Sequence, residues 1–132
     1  MKRKPVIIVA VIAVVLLAAV LTTVGVVSNS QAKLEKLADL QIEDVDLTKI
    51  PDGVYTGSYG DFPVHAEVKV TVLNHAISKI ELTRHDNGQG APAEVIPDRV
   101  TEAQSLNVDI VSGATYSSKV ILKAIENALN HE

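Results

Sequence analysis

Between Asp109 and Ser118 the chain reads Asp-Ile-Val-Ser-Gly-Ala-Thr-Tyr-Ser-Ser, which sets the hydroxyls of Ser112, Thr115, Ser117 and Ser118 around Gly113. Hydroxyls at this density, just where an apolar helical stripe begins, suit two kinds of chemistry. One is capping, in which a side-chain oxygen accepts a hydrogen bond from a free N–H of the first helical turn, worth about 1 kcal/mol. The other is phosphate binding. The first N–H groups of a helix lack internal partners and carry partial positive charge, and a glycine lets the backbone come close. Residue types alone leave both readings open. Hydrolysis is disfavoured, because no base and orienting group stand where they would activate one of these hydroxyls. The Walker pattern Gly-x-x-x-x-Gly-Lys-Ser/Thr is also absent.

The elements that must position this stretch follow from periodicity. Val120, Ile121, Ala124, Ile125, Ala128 and Leu129 form one stripe, with Lys119, Lys123, Glu126 and Asn127 outside it, so an amphipathic helix is expected over Ser117–Leu129. Val108–Val111 reads as a short last strand leading into it. Upstream, Val54–Tyr59 reads as a first strand. Val64, Ala66, Val68, Val70 and Val72 then alternate with His65, Glu67, Lys69 and Thr71, the pattern of a half-buried strand. Asn74-His75 suits a hairpin turn, with Ile77–Thr83 returning antiparallel. Arg84–Glu94, punctuated by Gly88, Gly90 and Pro92, reads as a loop, and Pro97–Gln104 as a short helix. His65 and His75 fall on the polar face and the turn, at no metal-binding spacing, and His85 reads as a solvated loop residue.

No residue from Val6 to Val27 is charged. About 22 residues at ~1.5 Å each reach roughly 33 Å, enough to cross a hydrocarbon core of about 30 Å. Lys2, Arg3 and Lys4 precede this span, whereas acidic residues dominate after it, so the positive-inside rule expects a cytoplasmic N-terminus and an extracytoplasmic remainder. A cleavable signal peptide with a site near Ser30-Gln31-Ala32 is the rival reading, although the apolar run exceeds the usual length of about 7–15 residues. Lys33–Leu40 reads as a short helix beyond the membrane. The expected division is a basic start and anchor over 1–28, a juxtamembrane helix and linker over 29–50, and a folded domain over 51–132. The expected class is α+β: a small antiparallel sheet covered by a C-terminal amphipathic helix and preceded by one transmembrane helix. There is no cysteine, which excludes disulfides, thiolate metal sites and thiol catalysis. With three of the twelve basic residues at the start, nine remain against sixteen acidic ones, a balance that argues against nucleic-acid binding.

The stretch Asp109-Ile110-Val111-Ser112-Gly113-Ala114-Thr115 resembles the flavinylation motif of the FMN-binding domain family, roughly Asp-x-x-(Ser/Thr)-Gly-Ala-Thr. That domain occurs in the C subunit of sodium-translocating NADH:quinone reductases, the G subunit of Rnf complexes and small extracytoplasmic flavoproteins. The resemblance extends over about Asp52–Leu129, through Asp52-Gly53-Val54-Tyr55-Thr56-Gly57-Ser58-Tyr59-Gly60, the alternating hairpin and the final helix. Where the large-complex subunits carry an acidic, Thr-Pro-Gly-rich loop, this chain has His-Asp-Asn-Gly-Gln-Gly.

The resemblance implies that FMN is the cofactor. It implies that Thr115 is esterified to the FMN phosphate by a flavin transferase using FAD and Mg²⁺. Asp109, Ser112, Gly113 and Ala114 would complete the recognised motif. Tyr116 would either stack on the flavin ring or pack against the sheet, and His85 would either hydrogen-bond the flavin or stay solvated in its loop. The function so implied is that of a membrane-anchored electron carrier between a membrane-bound donor and an extracytoplasmic acceptor. A noncovalent FMN-binding or sensing module and a small flavin reductase are the alternatives. The small domain favours a carrier over a stand-alone enzyme.

Overall fold

The computed structural model describes residues 3–86, 88 and 90–130. Met1 and Lys2 of the expected basic start, Asn87 and Gln89 of the expected loop, and His131 and Glu132 lie outside the described residues. The chain divides into two compact units, Met1–Leu34 and Glu35–Glu132.

Helix α1 (Arg3–Ala38) makes up the first unit and enters the second with its last turn. It is long and apolar enough to cross a membrane. Its few hydroxyls turn back on the helix. Thr22 Oγ1 donates to Ala19 O at 2.9 Å, and Ser30 Oγ to Val26 O at 3.0 Å, so neither needs water as a partner. The separate helix expected over Lys33–Leu40 is instead the end of α1. Neither glycine nor proline stands between Val26 and Ala38 to break it.

The second unit is α+β. Strands β1 (Gly53–Asp61), β2 (Val64–Leu73) and β3 (Ala76–Asp86) form an antiparallel meander in the order β1-β2-β3. At the β2–β3 turn Asn74 and His75 have φ of 52° and 60°. Two successive left-handed residues make the primed turn whose twist matches the strands. Asp52 holds this tip, its Oδ1 accepting from Asn74 N–H at 2.8 Å. The expected alternation holds: Val64, Ala66, Val68, Val70 and Val72 are all buried. The loop expected from Arg84 begins later, because the ladder pairs Arg84, His85 and Asp86 with Glu67, Ala66 and His65. After it come a 3₁₀ turn over Ala91–Val95 and helix α2 (Ile96–Ala103).

Helix α3 (Thr115–Leu129) packs across β1 and β2. Its stripe of Val120, Ile121, Ala124, Ile125, Ala128 and Leu129 meets the buried face of the sheet. A close approach between backbones makes this possible. A Cβ at Gly57 of β1 would collide with the Ala124 carbonyl and lie 2.8 Å from the Ala128 Cα.

Residues 35–50 wrap this helix. Leu37 and Ile50 are buried, Lys119 Nζ donates to the carbonyls of Ala38 and Leu40, and Glu43 N–H donates to Glu126 Oε2 at 3.1 Å. Glu126 lies outside the apolar stripe in sequence but is buried in the fold, because its second oxygen pairs with Lys123 Nζ at 2.7 Å while the wrap covers it.

Gly57→Ala is expected to force α3 off β1. Overpacking against side chains costs about 1–3 kcal/mol, and backbone cannot yield as side chains do, so the loss should reach at least the upper part of that range. Thermal unfolding of the detergent-solubilised chain checks it: a fall of roughly 10 °C or more is expected, and an unchanged melt would show that the approach is not rigid.

Candidate functional site

The residues expected to act together occupy one continuous segment that leads from α2 into the first turn of α3. Gly113 sits in the left-handed region at φ 81°, where residues with a Cβ are strained, and Ala114 N–H closes the turn on Val111 O at 3.0 Å. Asp109, Ser112 and Gly113 are exposed, Ala114 is buried and Thr115 half-buried. Tyr116, in the first turn of α3, is 39% exposed.

The helix begins at Thr115, with Ala114 at the capping position and no side-chain cap. Among the described residues neither Ser112 Oγ nor Thr115 Oγ1 makes a hydrogen bond, so the capping reading of these two hydroxyls does not hold. The first i→i−4 bond runs from Ser118 N–H to Ala114 O at 2.9 Å. The N–H groups of Thr115, Tyr116 and Ser117 therefore stand ahead of it, at the positive end of the helix dipole. A phosphate carried on or beside Thr115 would meet these donors. The hydroxyl of Ser118 is fully buried and serves the backbone instead. It accepts from Val111 N–H at 3.0 Å and ties the approach of the turn to the helix.

The strand expected over Val108–Val111 does not form; these residues have no ladder partner among the described residues. Groups outside the sheet supply the hydrogen bonds that a neighbouring strand would have given. Asn107 N–H donates to Ser105 Oγ at 3.0 Å, and Arg99 Nη1 donates to Asp109 O at 2.9 Å. The free edge of β3 is meanwhile occupied by Gln104. Its amide accepts from Ile77 N–H at 2.7 Å and donates to Ile77 O at 2.8 Å, replacing the pair of bonds a fourth strand would make. Gln104 can do this because it ends α2 in the left-handed region, at φ 53°. Periodicity does not reveal such side-chain substitutes, so Arg99, Gln104 and the role of Ser118 were not legible.

Asp44, from the wrapping segment, anchors the start of the same connection. Its carboxylate accepts from Ser105 Oγ at 2.6 Å and from Leu106 N–H at 2.9 Å. Burial acts to raise the Asp44 carboxyl, but the bonds from Ser105, Leu106 and Val45 outweigh it and hold the group below the ordinary carboxylate range.

His85 does not occupy the solvated loop expected for it. Its side chain is 3% exposed, and Nδ1 lies 3.0 Å from Glu94 Oε1. Its place in β3, opposite the buried Ala66, turns it inward. This pair joins the end of β3 to the 3₁₀ turn before α2. Helix α2 and the connection that follows it frame an open groove beside the motif, lined by Arg99, Glu102, Asn107, Asp109 and Ile110.

The family model described as "FMN-binding domain" matches residues 62–130, the span from the β1–β2 turn to the end of α3. A curated relative is the protein named "NADH:acrylate oxidoreductase" of Vibrio harveyi, 28% identical over 110 residues. The match takes in 80% of this chain but only 11% of that protein's length.

The lowered Asp44 carboxyl has a definite pH signature. Its contribution to stability is complete above the unfolded value of about 4 and is lost as pH falls through the lower folded value. In melts across about pH 3–7, the parent chain should lose melting temperature on acidification more steeply than Asp44→Asn, the two converging at the acid end. Parallel curves would show that Asp44 does not hold this connection.

Proposed function

The chain belongs to the FMN-binding domain family, and from that premise we propose that it is a membrane-anchored, extracytoplasmic electron carrier with FMN joined by a phosphoester to Thr115. The observation that carries the reading is the Thr115 hydroxyl itself. It is half-buried, has no hydrogen-bond partner among the described residues, and stands at the amide-rich start of α3 directly after the Gly113 turn. A hydroxyl released from capping is available for ester formation.

In that reaction Thr115 Oγ1 bonds to the phosphorus of the FMN half of FAD. The diphosphate bond breaks, AMP leaves, and the hydroxyl proton passes to a base. The motif offers no base with an orienting partner, so a separate flavin transferase must supply it, together with FAD and Mg²⁺. When bound, FMN supplies one- and two-electron chemistry, and the protein contributes orientation and electrostatics. Ser112 and Gly113 shape the turn, the amides at the start of α3 would hold the phosphate, and Tyr116 is near enough in sequence to meet the ring. The groove beside the motif is open rather than enclosed, which suits electron transfer to a docking partner more than capture of a substrate. The redox name of the Vibrio harveyi relative supports electron transfer as the role. A membrane-bound donor and an extracytoplasmic acceptor are the partners this reading requires. A covalent tether also keeps the flavin from escaping outside the cell.

Two experiments test the proposal. Co-expression with a flavin transferase should add the mass of FMN less one water, visible as flavin fluorescence that survives denaturing electrophoresis. Thr115→Ala should abolish the adduct, and an adduct persisting in that variant or mapping to Ser117 would overturn the assignment. For topology, the basic residues before the span and the acidic excess after it argue for a C-terminal unit on the outside. A reporter fused after Glu132 should be active only beyond the cytoplasmic membrane, and cytoplasmic activity would refute the orientation.

A further inference from the structure

We propose that Arg99 is a positioning residue for flavin attachment: from α2 it holds the carbonyl of Asp109, and so keeps the approach to Thr115 in the shape a transferase reads. The proposal rests on the attachment reading above. Between Val108 and Val111 no neighbouring strand fixes the backbone. Val108 N–H finds only the local Leu106 O, at 2.9 Å. Beyond it Ala114 N–H takes Val111 O, and the side-chain holds are Arg99 on Asp109 O and Ser118 on Val111 N–H.

The two holds differ in kind. Ser118 is buried within α3, so its loss would disturb packing as well as the turn. Arg99 is exposed and makes no ion pair among the described residues, although Asp98, Glu102 and Asp109 stand nearby in sequence or in the same groove. Its guanidinium is spent on a main-chain carbonyl, a charge-assisted bond with directional geometry. With that carbonyl held by α2, the Asp109 side chain remains in solvent, where a second protein can reach it. A transferase must recognise this segment before it can seat the Thr115 hydroxyl, and a segment that holds the recognised shape for a smaller fraction of the time binds more weakly in proportion. A segment without a ladder therefore needs an external brace, and Arg99 is the one that can be removed without emptying the core.

The test uses the full chain in detergent with a flavin transferase, FAD and Mg²⁺, comparing the parent, Arg99→Met and Arg99→Lys. Methionine keeps length without a donor, and lysine restores a cationic donor. The expected result is a rise of about tenfold in KM for the chain in Arg99→Met with kcat changed less than about twofold, largely recovered in Arg99→Lys. Amide exchange of Val111, whose N–H is bonded to Ser118 Oγ, should quicken in the unmodified Arg99→Met chain while that of Val120–Leu129 stays unchanged. An unchanged KM in Arg99→Met overturns the inference alone. So does a loss accompanied by faster exchange throughout α3, which would mark a general structural role. A parent chain that gains no FMN removes the attachment reading and this inference together.

Discussion

The close seating of α3 on β1 is the constraint on which the C-terminal unit depends. Gly57 presents only hydrogen to the Ala124 carbonyl and the Ala128 backbone, so helix and strand meet without a side chain between them. This contact sets the depth at which the α3 stripe enters the valine face of β2. It also positions what α3 carries. The N-terminal end bears the hydroxyl-rich turn, and further along Lys119 and Glu126 receive the wrapping segment, with Lys123 paired to Glu126. A small domain has little core to spare, and here two faces of α3 are used: one against the sheet, another beneath residues 35–50.

The motif is held by a different device from the rest of the domain. Strands β1 to β3 satisfy one another by a regular ladder. The connection from Ser105 to Val111 is satisfied largely by side chains: Asp44 in the wrap, Ser105 within the connection itself, Arg99 in α2 and Ser118 in α3. Such a segment keeps a defined shape while leaving the face of Asp109, Ser112 and Gly113 open to solvent. That combination suits the proposed attachment of FMN at Thr115, for which a second protein would have to read the segment. A strand of the sheet would have committed the same backbone groups to its neighbours, and a free loop would have presented no fixed geometry.

Much of the fold was legible because burial on one face leaves a periodic trace. The alternation from Val64 to Val72 and the stripe from Val120 to Leu129 each correspond to one buried surface, and the Asn74-His75 turn follows from the tolerance of asparagine for positive φ. The same reasoning failed at Val108–Val111. Four residues can alternate without a partner strand, and nothing local tells whether an edge is free. It failed again at His85 and Glu126, whose polarity suggested solvent; a cross-strand position and a covering segment buried them.

By itself, then, the amino-acid sequence determined the long apolar helix, the α+β class, the core face of the hairpin and the family motif ending at Thr115, since each is written in residue type and local spacing. Only the tertiary structure decided that Ala114 rather than a hydroxyl takes the capping position, that Gln104 closes the edge of β3, and that Arg99 braces Asp109. These outcomes depend on which groups meet after the chain has folded back on itself. Competition for a hydrogen bond between residues distant in sequence leaves no periodic signature.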